Sequence, residues 1–165
     1  YSLDLKPCFI WGLRSYLLAL FLWPFYQGVL LSPFLRGYFY KLLGMKTGKG
    51  ILVVGAIIYD PELVTLGDES MVGHDALFLP HAINVIRDED VLVLGRISVG
   101  QRAIIGAKTT VMANVEIGDD AMVTAMSLVS MNTKIPAGEI WGGIPAKKIG
   151  MQTDAPNLNA SLRGK

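Results

Sequence analysis

The sequence predicts an all-β fold, a parallel β-helix of about four to five triangular coils, preceded by an apolar helical segment. Three observations carry this. A β-branched aliphatic stands at every sixth position from Val93 to Ile135: Val93, Val99, Ile105, Val111, Ile117, Val123, Val129 and Ile135. Two residues before each plug from Val99 on runs a mostly small series, Ile97, Ala103, Thr109, Val115, Ala121, Ser127 and Thr133. Between Arg14 and Arg36 lie 21 residues without a formal charge. A six-residue repeat suits short flat strands that stack coil upon coil at about 4.8 Å, each placing one apolar plug in a shared core.

Taken in order, residues 1–44 form the apolar helical segment, and with 52% of the chain hydrophobic it needs a partner. Residues 15–35 are long enough to cross a hydrocarbon core of about 30 Å. Pro24, Gln27, Gly28 and Pro33 interrupt the stretch, and proline breaks a helix. Three arrangements stay open: a kinked span or re-entrant hairpin, an interfacial helix pair, or a helical collar on neighbouring subunits. The expectation is membrane contact through residues 15–35. Arg36, Lys41, Lys46 and Lys49 follow it and only Lys6 and Arg14 precede it, which places the main domain on the cytoplasmic face of the membrane or in the cytoplasm. The start at Tyr1 rather than Met implies further sequence upstream, and no basic leader frames a secretory signal. Residues 34–44 have helical spacing and end at Gly44, a suitable C-cap.

The repeat begins at Thr47-Gly48 and Val53, shifts register at Tyr59 to Leu63, and resumes at Leu66-Gly67, Val72-Gly73 and Phe78. Phe78 to Val93 spans 15 residues, which is not a multiple of six, so a loop over residues 79–92 must leave the stack. Beyond it, Gly100, Gly106 and Gly118 follow the plugs, where the reading assigns them the permissive φ of a corner. Pro136 and Pro145 suit the end of the stack. The β-helix then covers residues 45–150, and residues 151–165 are a polar, mobile tail.

A net charge of +1 and the lack of a basic run argue against nucleic acid as a partner. The lone Cys8 excludes an internal disulfide framework and a cysteine metal knuckle.

The hexads, with Val129-Ser130-Met131-Asn132-Thr133-Lys134-Ile135-Pro136 and Gly143-Ile144-Pro145-Ala146-Lys147, resemble the hexapeptide-repeat acyltransferases over about residues 45–150. The resemblance implies a left-handed coil, a homotrimer, and acyl transfer from a thioester to a hydroxyl or amine. Two branches compete. The spacing from Leu66-Gly67-Asp68-Glu69-Ser70 to His81 resembles maltose- and galactoside-type O-acetyltransferases. The stretches Tyr59-Asp60-Pro61-Glu62-Leu63-Val64 and Ile135-Pro136-Ala137-Gly138-Glu139-Ile140-Trp141 look like the membrane-bound terminal domains of polylysine-synthetase-type peptide synthetases, although Asn84-Val85 stands where that branch has an acidic pair.

Acyl transfer needs a base for the acceptor's proton, and histidine titrates in the right range. His81, in the break of the repeat, falls where the resembling enzymes carry their catalytic histidine. Asn84 and Arg87 share its loop and are candidates for orienting an acceptor, with His74 a weaker one. The resemblance further implies acetyl-CoA or another acyl-CoA as co-substrate, its pantetheine arm along Gly106, Ala107 and Ala125 and its phosphates towards Lys134, Lys147 or Lys148. A carrier-bound phosphopantetheine is the alternative donor, and a non-catalytic scaffold the rival function. No metal is expected: a γ-class carbonic anhydrase uses the same coil with three histidines, and this chain has two. The acceptor's identity is not legible.

Overall fold

The computed structural model describes residues 33–86 and 89–154 together with residues 10, 12–14, 17 and 20; for residues 33–34, 83–86, 89–91 and 154 it describes the backbone alone. Three parallel sheets form the faces of a triangular prism. The first holds β1 (Lys46–Thr47), β4 (Val64–Leu66), β9 (Ile97–Val99), β12 (Val115–Ile117) and β15 (Lys134–Ile135). The second holds β2 (Leu52–Val53), β5 (Met71–Val72), β10 (Ile104–Ile105), β13 (Met122–Val123) and β16 (Glu139–Gly143), with β17 (Ala146–Met151) added antiparallel at its end. The third holds β3 (Ile57–Ile58), β6 (Leu77–Leu79), β11 (Thr110–Met112) and β14 (Leu128–Val129). The chain visits the faces in that order, turns a corner, and begins the next coil.

The inner residues of the rungs are apolar, and apart from Ile58 they are the plugs that the six-residue count names. Val53, Ile58, Leu66, Val72, Phe78, Val99, Ile105, Val111, Ile117, Val123, Val129 and Ile135 are all 3% exposed or less, so the core is one apolar column. Each such burial stabilises by about 1.5–3 kcal/mol before entropy is counted. Ala103, Ala121, Thr109 and Ser127 of the small series are buried beside them.

The outer residues differ from face to face. The first face presents Lys46, Thr65, Ser98, Glu116 and Lys134 in one register. The second presents Leu52, Met71, Ile104, Met122 and Ile140. The third presents Ile57, Leu77, Thr110 and Leu128, with Leu79 beside Met112. One outer face is polar and two are largely apolar.

Three expectations are corrected. Residues 79–92 are no open loop: β7 (His81–Ile86) and β8 (Glu89–Leu94) form an antiparallel hairpin, closed at its base where the Gly95 amide donates to the Pro80 carbonyl at 2.8 Å. Val93 belongs to that hairpin, opposite Ala82 and half-buried, so the stacked ladder runs from Val99 to Ile135. Ile83, Val85, Val91 and Val93 are β-branched and pair strand to strand, which put Val93 on the six-residue count without a place in the stack.

The second correction concerns glycine. Gly100, Gly106 and Gly118 do not adopt positive φ; the left-handed corners are taken by Arg102, Lys108, Asn114, Asp120, Met126 and Asn132, at φ between 53° and 62°. Glycine is needed for closeness instead. A Cβ on Gly118 would stand 2.5 Å from the Ala137 amide nitrogen, and one on Gly100 2.5 Å from that of Asp119. Left-handed corners cost about 1–2 kcal/mol for a residue with a Cβ. Side-chain ladders between coils offset part of this: Asn114 Nδ2 donates to Asn132 Oδ1 at 2.7 Å, and Arg102 forks onto Asp120 at 2.7 and 2.6 Å.

The third concerns the ends. The tail begins later than residue 151, since Met151 completes β17 and the Gln152 amide donates to the Gly138 carbonyl at 2.8 Å; residues 155–165 lie outside the described residues. At the other end α1 (Pro33–Leu42) closes the first coil. Tyr40 is buried against it, its hydroxyl donating to the Ala56 carbonyl at 3.0 Å and accepting from the Ile58 amide at 3.2 Å. Of the apolar stretch 15–35, residues 15–16, 18–19 and 21–32 lie outside the described residues, and among the described ones no helix is long and apolar enough to cross a membrane.

Candidate active site

The edge between the third face and the first brings His81, the candidate base, beside a carboxylate. Register pairs Ile58 with Phe78 on successive coils, so Asp60, two residues past Ile58, and His81, three past Phe78, come out side by side. Asp60 takes the left-handed conformation, φ 43° and ψ 63°, at the head of the 3₁₀ turn Pro61–Leu63. Its side chain makes no capping hydrogen bond to that turn and points to the imidazole instead: Oδ2 lies 2.5 Å from His81 Nδ1. The Asp60 side chain is 6% exposed and that of His81 21%, so the pair is sheltered but open to a ligand on the histidine side. The Tyr59 ring stands edge-on to the imidazole with centroids 5.8 Å apart, which limits its rotation.

Where the carboxylate is ionised it can only accept, so Nδ1 then donates and Nε2 of a neutral imidazole is left as the acceptor. This is the arrangement a general base requires: tautomer fixed, ring fixed, and a negative charge placed to stabilise the imidazolium that forms on proton uptake.

Beside the dyad, Arg14 donates to Glu62 Oε1 at 2.5 Å. That hydrogen bond holds the guanidinium above its ordinary range; burial opposes the shift, and the charges of Glu62 and Asp60 add to it. Glu62 Oε2 is buried without a hydrogen-bond partner among the described residues.

The other sequence candidates lie elsewhere. His74 is on the edge between the second and third faces, two-thirds exposed, with Nδ1 3.1 Å from Asp75 Oδ1. Gly106, Ala107 and Ala125 form a column on that same edge: the Met126 amide donates to the Ala107 carbonyl at 2.8 Å, and Gly106 leaves no room for a Cβ against the backbone of Ala125. Lys134 points out of the first face and pairs with Glu116 at 3.0 Å; Lys147 is exposed in β17. Arg87 and the side chain of Asn84 lie outside the described residues. Among the described residues no group of three His, Cys, Asp or Glu is placed to hold a metal ion. Within one chain, then, the His81 dyad and the Gly106 to Ala125 column occupy different edges of the prism.

Asp60 was not read as a site residue from the sequence. The register shift at Tyr59 to Leu63 was the available signal, because it puts an Asp-Pro step at the same edge as His81, one coil earlier.

No family model matches the chain. It is 30% identical over 125 residues to Putative acetyltransferase YvoF of Bacillus subtilis (strain 168), covering 72% of this chain and 69% of that protein. It is 31% identical over 116 residues to Delta-poly-L-ornithine synthetase of Acinetobacter baumannii (strain AB307-0294), covering 70% of this chain but 8% of the synthetase. It is 38% identical over 89 residues to Gamma carbonic anhydrase 2, mitochondrial, of Arabidopsis thaliana, covering 54% of this chain and 26% of that one. The fold matches the crystal structure of the hexapeptide-repeat containing acetyltransferase VCA0836 from Vibrio cholerae with a TM-score of 0.61 at 16% identity, over 88% of this chain and 92% of that one.

Proposed function

The chain belongs to the hexapeptide-repeat acyltransferases, and on that premise we propose that it moves an acyl group, acetyl in the simplest case, from a thioester to a hydroxyl or amine acceptor, with His81 as general base. The observation that carries this reading is the 2.5 Å contact between Asp60 Oδ2, in the register shift at Tyr59 to Leu63, and His81 Nδ1, where the repeat gives way to the hairpin. His81 Nε2 takes the acceptor's proton as its oxygen or nitrogen attacks the thioester carbonyl. A backbone N–H at a coil corner stabilises the oxyanion. Collapse of the tetrahedral intermediate breaks the C–S bond, and the imidazolium returns its proton to the departing thiolate.

Acetyl-CoA or another acyl-CoA is the donor, its pantetheine arm lying along Gly106, Ala107 and Ala125, with Lys147 and Lys134 towards its phosphates. Because that column and the dyad sit on different edges, a complete site takes one edge from each of two copies. Two apolar outer faces beside a polar one support such self-association, in a homotrimer. Residues 15–35 hold the assembly at the cytoplasmic face of a membrane, which favours a membrane-linked acceptor. The likeness to the polyornithine synthetase favours a second reading of the donor, a carrier-bound phosphopantetheine thioester.

The test is thiol release by the wild-type protein from acetyl-CoA and from an acyl-pantetheine carrier, against sugars, amino alcohols and amines, with acylated products confirmed by mass spectrometry. Acceptor-dependent thiol release with an acylated product is expected. Neither thiol nor product across the panel would overturn the enzyme reading and favour a scaffold. For the membrane, recovery in the soluble fraction without detergent would overturn anchoring.

A further inference from the structure

The 3₁₀ turn that presents Asp60 is held by residues outside the β-helix. Pro61 is buried and Asp60 has φ 43°, in the left-handed region that aspartate tolerates better than most residues. On one side Gly44, at the end of α1, packs directly beneath Glu62, since a Cβ there would stand 3.2 Å from Glu62 Cβ. On the other, Arg14 of the N-terminal segment binds Glu62 Oε1 at 2.5 Å and lies within the field of Asp60. The Arg14 side chain is 48% exposed and that of Glu62 32%, so this ion pair adds little to global stability. What it does is local. Glu62 and Asp60 are two carboxylates separated by one proline, and an unneutralised charge on Glu62 would repel the Asp60 carboxylate.

We propose that Arg14 is a positioning residue: by engaging Glu62 it fixes the turn that aims Asp60 at His81, and so couples the seating of the N-terminal segment to the catalytic dyad. The inference rests on His81 acting as the base, but the geometry it asserts is measurable without turnover.

The experiment uses the full chain with Arg14→Gln, Glu62→Gln, and the swapped pair Arg14→Glu with Glu62→Arg. Two quantities are read: the proton resonance of His81 Nδ1–H with the ring tautomer by nitrogen-15 NMR, and kcat apart from KM. Arg14→Gln is expected to shift or broaden the Nδ1–H resonance and lower kcat roughly tenfold, with KM for both substrates within about twofold and an unchanged melting temperature. The swapped pair is expected to restore most of both. An unchanged His81 spectrum and kcat in Arg14→Gln would overturn the proposal, as would a swapped pair no better than the single variants. If His81→Ala retains turnover while Arg14→Gln still perturbs the imidazole, the functional reading fails and the coupling stands.

Discussion

Replacing Asp60 by alanine or by asparagine separates the two things its carboxylate does for His81. The contact is 2.5 Å long, and the Asp60 side chain is 6% exposed, so the hydrogen bond is charge-assisted and sheltered from solvent. Such bonds contribute about 1.5–3 kcal/mol. If that stabilisation is felt mainly as the imidazolium forms, alanine lowers kcat by about 10-fold to 150-fold, at 1.36 kcal/mol per decade. Asparagine is worse where its amide N–H turns to Nδ1, because the ring proton then moves to Nε2 and the basic lone pair faces away from the acceptor. The loss in Asp60→Asn then approaches that of removing the base, about 10²-fold to 10⁴-fold. The assay is initial-rate thiol release at saturating donor, with nitrogen-15 NMR of His81 to identify the tautomer and melting curves to confirm the fold. Both variants within twofold of wild type, folded and with His81 still protonated at Nδ1, would refute the dyad.

Gly118→Ala places a Cβ 2.5 Å from the Ala137 amide nitrogen, against the Pro136–Ala137 backbone of the next coil, with no flexible side chain to yield. It is expected to cost about 1–3 kcal/mol and to lower the melting temperature by about 3–10 °C; an unchanged midpoint would mean that closeness does not select glycine there. Met71→Glu, in the middle of the apolar second face, is expected to dissociate the proposed trimer in analytical ultracentrifugation, whereas Thr65→Glu on the polar first face leaves it intact; equal behaviour would remove the face assignment. Glu139 is held below its ordinary value of 4.5 by Lys148 first and by the Trp141 indole second, so its contribution to stability is complete above that value and is lost as pH falls through the lowered one. Lys148→Met is therefore expected to differ from wild type in urea midpoint at pH 7 and to converge with it as pH falls below that lowered value; a constant difference would contradict the assignment.

The coil was legible because its constraint is local and repeated. A buried plug must be apolar at each rung, and from Val99 to Ile135 every one is also β-branched, so these announce themselves one by one. Val93 misled because a hairpin strand also favours β-branched residues, and a count of six cannot distinguish a rung from a strand that pairs elsewhere. The glycines misled for a different reason: sequence shows that a side chain is absent but not whether φ or proximity forbids it, and here the next coil's backbone does. His81 stood out as a candidate from its place in the break. Asp60 did not, because the dyad is a contact between successive coils, and only the register of Ile58 on Phe78 brings the two residues together. Arg14 was farther still, paired to Glu62 across 48 positions of sequence.

The most direct test of His81 as the general base is turnover of His81→Ala, once an acceptor is in hand, compared with wild type of matched fold and oligomeric state. The account requires a fall in kcat of about 10²-fold to 10⁴-fold, with KM for the thioester donor largely unchanged. Turnover equal to wild type would contradict it.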